Sequence, residues 1–157
     1  MQRVTNAVYI KNNHVLMLKK PKRGWYGTPG GKMEPGESIK QSVLREFEEE
    51  TGLLLTDAKL SSAFTFVIED EQEWMLFTFV AQASTGQLLE ETPEGELEWV
   101  PFDKVLDLPM AEGDRRIIKH AISDPEYVLT GTFYYTQDYI LQKEFIDGPS
   151  ELVAEEE

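Results

Sequence analysis

The chain has 157 residues, with 29 acidic against 15 basic side chains and a formal net charge of −14. That length suits one domain with a hydrophobic core, and the absence of cysteine excludes disulfides and thiolate metal sites. So negative a chain argues against a nucleic-acid polymer as partner, because phosphate backbones demand a basic footprint.

In chain order, residues 4–10 and 14–19 are short β-type runs separated by Lys11-Asn12-Asn13, a hairpin signal. The opening residues lack the basic-then-apolar pattern of a signal peptide, and no apolar run reaches spanning length, so a soluble cytoplasmic protein with no membrane partner is expected. Lys19, Lys20, Lys22, Arg23 and Lys32 gather just before and inside a glycine loop. A locally cationic loop can hold a polyphosphate on an otherwise acidic surface. Gly30-Gly31 and Gly36 read as turn residues, since glycine alone enters positive φ without steric cost.

Ser38 can cap a helix running to Thr51, with Gly52 ending it in the left-handed conformation. On that helix Glu46, Glu49 and Glu50 stand at i, i+3 and i+4 and share one face, while Val43, Leu44 and Phe47 project sideways towards a sheet. Crowded carboxylates repel, and a hard oxygen-seeking cation such as Mg²⁺ or Mn²⁺ would relieve them. The competing reading is a solvated acidic face. Against it, the run lies near the C-terminal end of its helix, where the macrodipole disfavours negative charge.

Further on, residues 58–67 and 73–83 are rich in β-branched and aromatic types, and residues 96–101 alternate like a half-buried strand. Residues 113–122 form a second helix with Ile117, Ile118 and Ala121 on one side. Residues 129–136 and 139–146 make a hairpin turning at Gln137-Asp138. An acidic tail, residues 149–157, follows a single domain over residues 1–148. The expected class is α/β, a mixed sheet between helices.

Residues 31–53 carry the pattern G-x5-E-x7-R-E-U-x-E-E-x-G-U, with U bulky and apolar: Gly31, Glu37, Arg45, Glu46, Phe47, Glu49, Glu50, Gly52 and Leu53. This resembles the signature of the Nudix hydrolases at every fixed position, with Phe47 where an aliphatic residue is usual. The resemblance, of the MutT-type branch, implies the Nudix α/β/α sandwich. It also implies hydrolysis of a nucleoside polyphosphate to the monophosphate and pyrophosphate, with Mg²⁺ (or Mn²⁺) as cofactor. Glu46, Glu49 and Glu50 are then the metal and catalytic carboxylates, Arg45 their orienting partner and Glu37 a support for the loop. The Gly30 backbone would reach metal, that of Gly31 phosphate, and Lys20, Arg23 and Lys32 would contact phosphate oxygens. Members often recruit one more carboxylate from a later loop. Glu94 is favoured here, with Glu91 next and an ordinary acidic loop as the alternative.

For the base, the expected polar groups are Asn6, Glu112 and Asp114, with Asp114 alternatively a helix N-terminal residue. Trp25 and Tyr26 could stack on a base or simply pack over the sheet. Trp74 and Phe77 read as core, and His14 and His120 as structural. An oxidised purine triphosphate such as 8-oxo-dGTP is the leading substrate; ADP-ribose and dinucleoside polyphosphates are alternatives. So is a silent nucleotide-binding module, which would normally have lost motif glutamates. The partner is thus a small nucleotide, bound by a monomer or homodimer.

Overall fold

Strand β1 (Gln2–Lys11) is buried on both faces: Ala7 and Tyr9 point one way, Val8 the other, and all three are fully inaccessible. A strand buried on both faces needs cover on both sides of its sheet. The computed structural model, which describes residues 1–21, 24–124 and 126–148, supplies that cover with two helices. Ala7, Tyr9 and Leu16 pack with Val43 and Phe47 of α1 (Ile39–Thr51). Val8, Val15 and Met17 pack with Ile118 and Ala121 of α3 (Glu112–Ser123). A third cluster joins Ile117 of α3 to Phe64, Phe66 and Phe133.

The remaining elements are β2 (His14–Lys19), β3 (Tyr26–Gly27), β4 (Gly30–Lys32), β5 (Leu53–Leu55), β6 (Lys59–Ile68), β7 (Trp74–Ala81), β8 (Ser84–Gly86), β9 (Glu91–Thr92), β10 (Gly95–Pro101), the short α2 (Phe102–Val105), β11 (Leu129–Tyr135) and β12 (Leu141–Asp147). The main sheet runs β12-β11-β6-β7-β1-β2-β10-β9, and β5 pairs with β8 in a separate ribbon. It is mixed: β1 lies parallel to β7 and β11 parallel to β6, while β6 and β7 are antiparallel.

One irregularity positions the site. β1 pairs with β2 only at Ile10↔Val15 and Lys11↔His14, next to a turn in which Asn12 and Asn13 both take positive φ. Beyond Val15 the strands part. β4 then lies along Val4–Asn6 and β3 along Leu18–Lys19. The glycine loop is carried into this divide, with α1 starting directly after it.

Ser38 caps α1 as expected, and it does so reciprocally. Gln41 N–H donates to Ser38 Oγ at 3.1 Å, and Ser38 N–H to Gln41 Oε1 at 2.8 Å. Gly52 ends the helix at φ 82°, its N–H donating to the Glu48 carbonyl. The glycine loop departs from expectation. Gly36 does take positive φ, but Gly30 and Gly31 are not among the positive-φ residues and lie in strand β4. They are needed for space: a Cβ at Gly30 would fall on the Thr5 carbonyl oxygen, and one at Gly31 on the Glu46 carboxylate. The closing hairpin is wider than expected, turning over Thr136–Ile140 with Tyr139 at positive φ. Among the described residues no helix is long and apolar enough to cross a membrane. The expected acidic tail, residues 149–157, lies outside the described residues.

Candidate active site

The exposed side of α1 is organised around Arg45. Its Nε and Nη2 grip both oxygens of Glu37, at 2.7 and 2.9 Å, and its Nη1 donates to Glu46 Oε1 at 2.8 Å. A further bond from Nη2 to the Lys32 carbonyl ties the fork to β4, and Glu49 lies 3.5 Å away one turn along the helix. Planar guanidinium suits this work, because it can satisfy a carboxylate bidentately and still address a second one. The Arg45 fork and the Glu34 backbone N–H hold the Glu37 carboxyl down at about 2, so it stays ionised across the physiological range.

Glu50 is in the opposite situation. Burial pushes it up to about 7, opposed by the bond its Oε1 accepts from Gly30 N–H at 2.7 Å, with Glu94 and Glu46 adding to the rise and Lys20 opposing it. The dominant cause is loss of water around the charge.

Glu46, Glu49, Glu50 and Glu94 line a groove of about 420 Å³ with Gly30, Gly31 and Lys32. All four side chains offer hard carboxylate oxygens, and the missing side chain at Gly31 lets Glu46 stand against the loop. Among the described residues no three acidic or histidine side chains converge on one point. Arg45 holds Glu46, and Gly30 N–H holds Glu50. Such a set fits Mg²⁺, which is usually bound through one or two carboxylates plus waters and substrate phosphates and not by a closed protein cage.

The groove runs on into a cleft of about 400 Å³, lined by Gly30, Gly31, Lys32, Glu50 and Glu94 at one end and by Lys20, Trp74 and Asp114 at the other. Lys20, Trp74 and Asp114 also line the pocket beyond, about 310 Å³, with Phe66, Tyr135, Tyr139, Trp25 and Tyr26. Its wall is an aromatic stack across three strands: Trp74 on Phe66 at 4.3 Å, and Phe66 parallel to Tyr135 at 5.8 Å. Burial lifts the Asp114 carboxyl to about 6, opposed by Lys20. Lys20 therefore stands between the two ends and acts electrostatically on Glu50 and Asp114 alike.

Asn6 lies in the middle cleft with its amide tied at both ends: Nδ2 donates to Thr28 Oγ1 at 2.6 Å, and Thr78 Oγ1 donates to Oδ1 at 2.6 Å. Lys32 lines both cleft and groove. Glu94 lines them too, whereas Glu91 is an exposed residue of β9 paired with Glu96. Glu112 is exposed and bonded to Arg115 and Arg116, and it is not among the pocket-lining residues. Arg23 lies outside the described residues.

Trp74, expected in the core, is half-buried and forms pocket wall; Phe77 packs against the α1 cluster. His120 is buried, bonded through Nε2 to the Tyr127 carbonyl, and His14 Nδ1 meets the Asn12 carbonyl, both structural arrangements. Sequence reading missed Phe66, Tyr135 and Tyr139. The available signal was the two-residue spacing of Phe64 with Phe66 and of Phe133 with Tyr135, which puts each pair on one strand face.

The NUDIX domain family model matches residues 1–121. The chain is 46% identical over 145 residues to the uncharacterized Nudix hydrolase YvcI of Bacillus subtilis, covering 90% of this chain and 91% of that one. It is 36% identical over 107 residues to the mouse 8-oxo-dGDP phosphatase NUDT18, covering 62% of this chain but only 32% of that protein. The crystal structure of a MutT protein from Bacillus halodurans superposes with a TM-score of 0.89 at 48% identity, over 94% of this chain and 98% of that one. With its glycine loop, capped glutamate helix and mixed sheet, the chain belongs to the Nudix hydrolases, as a member of MutT type that acts on pyrophosphate bonds.

Proposed function

We propose that this Nudix hydrolase is a Mg²⁺-dependent nucleoside triphosphate pyrophosphohydrolase. Its substrate class is the oxidised purine nucleotides, with 8-oxo-dGTP converted to the monophosphate and pyrophosphate. The observation that carries the reading is the continuity of the cleft. An aromatic pocket with a carboxyl in it leads past Lys20 to the glycine loop and the glutamate groove. That run suits a base at one end and a polyphosphate at the other. The name of the mouse relative supports an oxidised guanine nucleotide.

Nudix hydrolases generally use a divalent metal such as Mg²⁺. Glu46, Glu49 and Glu50, with Glu94 and the Gly30 carbonyl, would hold it, and it would supply charge neutralisation on phosphoryl oxygens and a lowered pKa for bound water. The chain's own residues do the rest. Arg45 fixes Glu46 and Glu37 so that the groove keeps its shape while negative charge accumulates beside it. Lys20 and Lys32, which line the cleft, would neutralise phosphate oxygens, and Arg23 is proposed for the same task. Glu50, in the groove with its Oε1 accepting the Gly30 N–H, would suit proton transfer from the attacking water. Gly31, which lines both cleft and groove, would present its backbone to the substrate's phosphates.

At the base end, the purine would lie against the wall of Trp74, Phe66 and Tyr135 while Asp114 and Asn6 address its polar edge. An oxidised guanine differs from guanine at its Hoogsteen edge, where an acceptor nitrogen becomes a donor. A pocket built for that edge rejects the normal base by leaving its own polar groups unpaired. The test is kcat/KM with Mg²⁺ across 8-oxo-dGTP, dGTP, 8-oxo-dGDP, ADP-ribose and a dinucleoside polyphosphate. The oxidised triphosphate should lead the panel; ADP-ribose or a dinucleoside polyphosphate in first place would replace this substrate class.

A further inference from the structure

Helix α3 begins without a side-chain cap. Ala111 stands at the N-cap with nothing to accept a bond, so the first N–H groups need partners from elsewhere. Gly113 N–H finds one in the Tyr135 hydroxyl at 2.6 Å, across 22 residues of sequence. This approach depends on glycine: a Cβ at position 113 would stand 2.6 Å from the Tyr135 oxygen and 2.8 Å from Phe133. The Tyr135 ring has little freedom of its own, being 3% exposed and parallel to Phe66. The next residue along α3 is Asp114, which lines the same pocket as Tyr135. Burial holds the phenol well above its ordinary range, so the hydroxyl remains protonated while it accepts the Gly113 bond.

We infer that Tyr135 is a positioning residue for base recognition: its hydroxyl pins the first turn of α3 and thereby holds the Asp114 carboxyl in the pocket. Glu112, on the other side of Gly113, is turned outward to Arg115 and Arg116, so this turn presents a single carboxyl inward. The inference rests on the reading of Asp114 as a base-contacting group.

Tyr135→Phe removes the hydroxyl and keeps the stacked ring. The experiment measures kcat and KM for 8-oxo-dGTP and dGTP in wild type, Tyr135→Phe, Asp114→Asn and the double variant, with a thermal melt of each. Tyr135→Phe should lower the preference for the oxidised base by about tenfold, through KM for 8-oxo-dGTP. The double variant should be no less selective than Asp114→Asn alone, because Tyr135 acts through that carboxyl. If Asp114→Asn loses selectivity and Tyr135→Phe keeps it, the inference falls while the base-contact reading stands. If Asp114→Asn keeps selectivity, that reading falls and the inference with it. A Tyr135→Phe loss that persists undiminished in the Asp114→Asn background overturns the inference as well. Should Tyr135→Phe fold poorly, Gly113→Ala crowds the same hydroxyl; it should shift selectivity in the same direction, and unchanged selectivity there counts against the proposal.

Discussion

The two ends of the cleft are built in opposite ways. The glutamate groove comes largely from one short stretch of chain, where helical spacing puts Glu46, Glu49 and Glu50 together, Arg45 ties Glu46 to Glu37 and Lys32, and Gly30 N–H holds Glu50. The aromatic pocket is assembled from Lys20 after β2, Phe66 on β6, Trp74 on β7, Asp114 on α3 and Tyr135 on β11. The first is a charged framework held by hydrogen bonds. The second is an apolar wall held by strand register, with one carboxyl and one lysine in it. A division of labour follows: changes in the groove should alter turnover on any substrate, and changes in the pocket should alter the choice among substrates.

The largest effect should come from Glu49→Gln, which keeps size and removes a hard anionic donor. Its kcat should fall on the order of a hundredfold or more for every substrate, with the 8-oxo-dGTP to dGTP ratio unchanged; near-normal kcat at ordinary Mg²⁺ would remove Glu49 from the machinery. Next, Arg45→Lys loses the bidentate grip on Glu37, and kcat should drop roughly tenfold with the ratio again preserved. A large change in ratio would erase the proposed division. Asp114→Asn should do the reverse, lowering the ratio by about tenfold while kcat on dGTP stays within a few-fold. Lys20→Ala touches both ends, so KM should rise for all nucleotides, and the rise should shrink at high salt as screening takes over.

The smallest effect concerns stability. Asp114 has its folded pKa raised, from 3.8 to about 6. In that window the folded state binds more protons than the unfolded one, so its contribution is fully present below pH 3.8 and is lost as pH rises through about 6. Asp114→Asn removes this dependence. Its Tm relative to wild type should therefore be higher at pH 8 than at pH 4, by roughly 5–10 °C. Parallel melting curves at the two pH values check it, and a difference of the opposite sign would place Asp114 in a stabilising ion pair.

The same contrast explains what could be read from sequence. The capped glutamate helix was legible because Ser38, Gly52 and the i, i+3, i+4 spacing are local rules, and the mixed sheet between helices because alternation exposes buried faces. Positive φ was the wrong expectation for Gly30 and Gly31: the neighbours that demand glycine there, the Thr5 carbonyl and the Glu46 carboxylate, arrive only when β1 and α1 fold around them. β3 and β4 are too short to announce themselves, and their pairing depends on where β1 and β2 part. Tyr135 and Phe66 meet through a parallel register between β6 and β11 that no local pattern encodes. Glu112 looked equivalent to Asp114 because helix phase decides between them, and the two arginines along α3 hold Glu112 outside.

The most direct test is the ratio of kcat/KM for 8-oxo-dGTP over dGTP in the unmodified enzyme with Mg²⁺. A base pocket of this construction predicts a ratio well above one, on the order of ten or more. A ratio near one would contradict it.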